Sequence, residues 1–89
     1  MLILPADLTR GKASACLQML VQGLQALPDK QVTVDAGALQ RFDSSALAVL
    51  LELRRESLAQ GKSLAIQALP GRLRDLATVY GIAELLPAA

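Results

Sequence analysis

Between Gln40 and Leu51 the chain starts polar, sets Asp43 beside Ser44 and Ser45, and turns at once into the apolar run Ala46 to Leu51. A polar stretch that ends in an acid and two hydroxyls and opens into such a run reads as a strand-to-helix junction. The first backbone N–H groups of a helix have no partner one turn back, so a side-chain oxygen at the cap position stabilises them, and Asp43 is the candidate cap. With Asp43 as the cap, Ser44 and Ser45 occupy the first turn, where the positive end of the helix dipole favours an anionic group such as a phosphate. Acid and hydroxyls are also the preferred residues of any helix start, so residue type alone assigns nothing more than that.

The segments around this junction alternate between two periods. Met1 to Leu4 is a short apolar strand stopped by Pro5, and Ala6 to Gly11 reads as a turn. From Lys12 to Leu27 the residues Ala13, Leu17, Leu20, Val21, Leu24 and Leu27 recur at spacings of three and four, which predicts an amphipathic helix with Cys16 packed on its flank as a small hydrophobe. Gln31 to Asp35 is β-branched and alternating, a strand, and Ala36 to Ala38 supplies a bend before Phe42 anchors the connection in the core. The central helix is expected from Ser44 to Gln60, with Leu47, Leu50, Leu51 and Leu58 buried and Gly61 as a left-handed cap. Ala46, Val49 and Leu53 widen its apolar arc, so either two of its sides are buried within the domain or one margin meets a partner. Ser63 to Ala68 is a third strand. Arg72 to Tyr80 is a third helix burying Leu73, Leu76, Ala77 and Tyr80 and stopped by Gly81, and Ile82 to Leu86 adds a last helical turn. Strand and helix alternating three times predict right-handed crossovers on an open, mostly parallel sheet, an α/β fold in one small domain over residues 1–89.

Several functions are disfavoured by what the chain contains. Its nine basic residues are interspersed with eight acidic ones for a net charge of +1, and it has one Phe, one Tyr and no Trp, so it carries neither the basic block nor the stacking platforms of a nucleic-acid binder. Arg54 and Arg55 are the densest basic pair, flanked by Glu52 and Glu56 as on a solvated helix face. With no histidine and Cys16 alone, the usual catalytic triads, an internal disulfide and a multi-cysteine metal site are excluded, and a reducing compartment is indicated. The six glycines are scattered and form neither a Walker loop nor a dinucleotide fingerprint. Asp35 and Asp43 flank one loop, but no second catalytic residue type accompanies them, and strand end and helix cap account for them. No catalytic residue, metal or cofactor is expected. The run Ala46 to Leu51 is far short of the ~20 residues that span a bilayer, and the N-terminus lacks a basic segment followed by an apolar one, which makes the cytoplasm the expected location.

The stretches Val32 to Asp35, Phe42 to Leu50, Gly61 to Leu64 and Leu73 to Leu86 resemble the sulfate transporter and anti-sigma factor antagonist (STAS) domain family. The resemblance covers about two thirds of the chain, and its Asp-Ser-Ser block followed by a helix is its most specific part. It implies one of two partners. In anti-anti-sigma factors a serine matching Ser45 is phosphorylated by a partner serine kinase, which switches off binding to that kinase. In the stand-alone STAS subunit of bacterial phospholipid-trafficking ABC transporters, the residue matching Ser44 is a threonine at the contact with the cytoplasmic ATPase. The shortness of the chain and its ending from Leu76 to Pro87 are similar to the transporter subunit, whereas Ser44-Ser45 matches the antagonist pattern. Two features depart from the family: Ala46 stands where a glycine is common, and Met1 to Leu4 leaves room for one opening strand where the family has two.

The resemblance therefore implies a non-enzymatic adaptor that binds the nucleotide-binding subunit of a phospholipid transporter serving outer-membrane lipid asymmetry. The expected contact is Asp43, Ser44, Ser45, Ala46 and Ala48, and the location is cytoplasmic, peripheral to the inner membrane through the partner, with no membrane insertion of its own. The alternative is an anti-anti-sigma factor switched by a serine kinase at Ser45.

Overall fold

Val32 and Val34 alternate with Thr33 and Asp35 along a five-residue strand, and this period of two puts the valines in the core and leaves the polar residues half-exposed. In the computed structural model, which describes residues 1–89, this strand is β3 (Gln31–Asp35). It lies between β1 (Leu2–Ile3) and β5 (Ser63–Gln67) in a sheet of order β1-β3-β5 with every pairing parallel. The register sets Leu2 opposite Val34 and Val34 opposite Ile66, so the apolar residues of all three strands share one face.

Helices connect the strands. A 3-10 turn (Arg10–Lys12) runs into α1 (Ala13–Ala26), α2 (Ser44–Ala59) joins β3 to β5, and α3 (Gly71–Val79) follows β5. Leu20 and Leu24 of α1, the buried side of α2, and Leu73 and Ala77 of α3 form one core cluster with the inner face of the sheet and Leu86. α1 lies so close to β1 that a Cβ on Gly23 would stand 2.8 Å from Leu2 Cδ2, so a larger residue there would push the end of the Leu2 side chain aside. Gly61 and Gly81 end α2 and α3 with φ of +72° and +73°, and in each case the following N–H returns to a carbonyl five residues back, Lys62 to Ser57 and Ile82 to Ala77.

Several expectations need correction. The opening holds two strands rather than one: β2 (Asp7–Leu8) falls inside the expected turn and pairs in parallel with β4 (Arg41–Phe42), which the sequence presents only as a connection. Pro5 interrupts the first ladder, and the second begins where the carbonyl of Ala6 accepts the N–H groups of Gln40 and Arg41 at 2.8 and 2.9 Å. Leu58 is exposed rather than buried, because the inward row of α2 runs Ala46, Leu50, Leu53, Ser57 and leaves Leu58 on the next flank. Tyr80 is also exposed, since α3 stops at Val79 and Tyr80 is its C-cap. Cys16 is 6% exposed, a core residue rather than a flanking one, and burial pushes its thiol pKa up, away from reactivity. The wide arc of α2 is absorbed inside the domain: Ala46, Leu47, Val49, Leu50 and Leu53 are all buried. The tail adds a feature no period announces, a parallel bridge of Ala88 to Ile66 in which Ile66 donates to Pro87 and Ala89 donates to Ile66 at 2.8 and 2.9 Å.

Candidate functional site

β4 delivers the chain to the start of α2 in an extended conformation, and Asp43 takes the cap position with φ −133° and ψ −166°. Its Oδ1 accepts the Ser45 N–H at 2.8 Å, and its carbonyl accepts the Ala46 N–H at 3.0 Å, so side chain and backbone together satisfy two of the first-turn donors. The second carboxylate oxygen, Oδ2, accepts the backbone N–H of Arg10 at 3.1 Å. One exposed carboxylate thereby fastens the start of α2 to the turn that leads into α1. The Ser45 N–H foremost, and the Arg10 N–H after it, hold the Asp43 pKa below the ordinary carboxylate value because both stabilise the charged form.

Past the cap the side chains divide by the helical period. Ser44 is exposed, Ser45 half-buried and Ala48 exposed, whereas Ala46 and Leu47 face the core. Ala46 is 0% exposed, so of the five residues expected at a partner contact it is the one the fold withholds; its role here is packing under the helix start. Asp43, Ser44, Ser45 and Ala48 remain on the surface side. Beside Ala48 the α1–α2 seam opens into a hollow of about 290 Å³ lined by Ser14, Leu17 and Glu52 among others. An exposed hydroxyl, a small alanine one turn on and an adjoining hollow make a surface that another protein can approach closely.

The other carboxylates are occupied locally. Asp35 Oδ1 accepts the Gly37 N–H at 2.8 Å, forming the bend after β3, so Asp35 and Asp43 serve two separate turns. Asp7 accepts the Thr9 hydroxyl at 3.0 Å and pairs with Lys12 Nζ at 3.4 Å, and its pKa is lowered chiefly by the Thr9 hydrogen bond. Two features around the junction escape sequence reasoning. Arg10 reaches Asp43 across 33 positions, and Arg72 of α3 stands with its Cζ 5.3 Å from the centroid of the half-buried Phe42 ring. No local spacing announces either contact, because both follow from the crossovers.

Fold and junction together define a small parallel α/β domain whose central helix starts at an acid-capped hydroxyl pair, Ser44 exposed and Ser45 half-buried. The family model described as "Mlab, STAS domain" matches residues 2–87, and the chain belongs to the STAS domain family. Among solved structures it is similar to an anti-sigma-factor antagonist (STAS) domain protein from Planctomyces limnophilus, with a TM-score of 0.79 and 18% identity, covering 97% of this chain and 77% of that one. A search of curated proteins finds no significant match. The match to the solved structure agrees with the open, mostly parallel sheet and crossover helices. STAS domains are generally binding and regulatory domains that act through protein–protein interaction. No helix is long and apolar enough to cross a membrane.

Proposed function

We propose that this chain is a non-enzymatic STAS adaptor that binds the cytoplasmic ATPase of a phospholipid ABC transporter of the inner membrane and supports its assembly or activity. The observation that carries the reading is the surface at the start of α2: Asp43 spends its carboxylate on the helix cap, leaving the Ser44 hydroxyl and the small Ala48 facing outward beside the α1–α2 hollow. The match to the "Mlab, STAS domain" family model supports the transporter branch. Ser44 pairs with polar groups of the partner, Ala48 allows close backbone approach, and Ser45 lies behind them against the cap.

A second reading has its own support in the Ser44-Ser45 pair and in the likeness to the anti-sigma-factor antagonist from Planctomyces limnophilus. In that reading the chain is an anti-anti-sigma factor and a kinase phosphorylates Ser45, adding roughly −1.5 to −2 charge at the contact. Affinity capture from native cytoplasm and membrane extract separates the two, using tagged wild type beside Ser44→Arg, a substitution at an exposed position that leaves the core untouched. Recovery of an ABC ATPase by wild type and its loss with Ser44→Arg is the expected result. Recovery of a serine kinase, with phosphate on Ser45, replaces the transporter reading with the sigma switch.

A further inference from the structure

We infer that the groove between α1 and α2 receives a basic amphipathic helix of the protein partner; this inference rests on the docking surface proposed above and extends it along the seam. The hollow beside Ala48 and a second one of about 550 Å³ share Leu17 and Glu52, so the two form one groove that begins at the proposed contact. Its walls are two helical ridges of the same spacing, Leu17, Val21 and Gln25 on α1 and Ala48, Glu52 and Glu56 on α2. Both helices connect parallel strands and therefore run the same way, which lays the ridges side by side. A furrow between ridges of period four is what the matching ridge of a third helix fills. Leu17 and Val21, each half-buried, give the furrow an apolar floor. From Ala48 to Glu56 it extends about 12 Å, room for two turns of a partner helix.

The charge of the groove selects its occupant. Of the four hollows on the surface, one is lined by Asp7 and Lys12, which pair with each other, and one by no charged residue. The two that form the groove have Glu52 and Glu56 as their only charged linings. Two cations stand near, and neither balances both acids. Arg55 meets Glu52 at 3.7 Å with its side chain 81% exposed, a contact that water weakens. Lys62 directs its ammonium to the Leu24 and Leu27 carbonyls. Glu56 enters no ion pair. Glu52 and Glu56 are one turn apart on one helix face, where like charges repel, and Glu56 lies in the last turn of α2, at the negative end of its dipole. Neither α1 nor α2 has a basic residue in its last turn. These acids are poorly placed for folding and well placed for a cationic partner. Lysines or arginines four residues apart on the incoming helix meet both carboxylates, while an apolar stripe beside them covers Leu17 and Val21. An anionic membrane surface is repelled by the same glutamates, and they have no third ligand with which to hold a metal ion.

The test uses the whole chain as Glu52→Gln, Glu56→Gln, which keeps side-chain length. The variant Asp29→Asn, Glu84→Gln is a control of equal charge change at exposed residues that do not line the groove. Binding is measured to the purified transporter ATPase and to two synthetic peptides, a leucine-striped helix with lysines four residues apart and the same peptide broken by two prolines. The expected result is a loss of about tenfold or more in affinity for ATPase and unbroken peptide with the glutamine variant, mostly in association rate and with a flattened salt dependence. The control variant matches wild type, the broken peptide binds neither, and the melting temperature of the glutamine variant stays level. ATPase binding that ignores the glutamates but is lost with Ser44→Arg overturns this inference and leaves the docking surface standing. Glutamate-dependent binding of the unbroken peptide, with no binding of the ATPase, retains the basic-helix site and removes the transporter reading. Equal binding of the broken and unbroken peptides, glutamate-dependent self-association of the chain with neither probe bound, or binding to none of the probes overturns the inference.

Discussion

Asp43 does two jobs with one side chain, and substitution separates them. Asp43→Asn keeps an oxygen that can accept the Ser45 N–H, whereas Asp43→Ala leaves that N–H and the one from Arg10 without a partner. Thermal unfolding of Asp43→Ala is expected about 4 °C or more below wild type, with Asn recovering most of the loss. The charge has a pH signature. Because the folded-state pKa of Asp43 lies below its unfolded value, its contribution is present above the unfolded pKa and is lost as pH falls through the folded one. Asp7 has the same sign. Denaturant titrations below about pH 4 therefore show wild type losing stability faster than Asp43→Asn, with the two curves parallel at neutral pH. The cap was legible in the sequence because an acid before two hydroxyls and an apolar run is a local pattern. Its second partner was not, since the Arg10 N–H arrives by way of a crossover.

At the scale of elements, legibility followed length. α1, α2, β3 and β5 carry enough residues for a period of 3.6 or 2 to declare itself, and their observed bounds fall within a residue or two of expectation. β2 and β4 have two residues each, too few to show any period, and exist because Pro5 breaks the first ladder and the chain re-pairs beyond it. Another unannounced contact ties two elements together: Lys62, just after α2, donates from Nζ to the carbonyl of Leu24 at 2.9 Å and to that of Leu27, capping the C-terminal end of α1. Lys62→Met keeps the aliphatic stem and removes the cap. We expect a loss of about 1 kcal/mol, read as a lower midpoint in urea with an unchanged m-value. Ser57 shows why an inward polar residue is tolerated in α2: its hydroxyl donates to the Leu53 carbonyl at 2.8 Å, so the one buried polar residue is satisfied within its own helix.

For the whole molecule the central fact is size. A domain of 89 residues has one core cluster, and its stability is a small difference between large terms, of order 5–15 kcal/mol. Leu53 is fully buried at the centre of α2, and Leu53→Ala, at about 2–5 kcal/mol, removes a large part of that margin; loss of a cooperative thermal transition near growth temperature is the expected readout. The same economy explains why the broad apolar face of α2 was ambiguous in sequence. Periodicity shows how wide a face is, but which neighbours cover it depends on the way α1, β5 and α3 close around it. The closed fold leaves Asp43, Ser44 and Ala48 at the start of α2 on the surface. The most direct measurement is therefore hydrogen exchange of the chain with and without the purified transporter ATPase. The account predicts slowed exchange at the amides of residues 43–48, with β1 and the tail after Leu86 unchanged. Protection confined to β1 or the tail, with residues 43–48 exchanging as in the free chain, would contradict it.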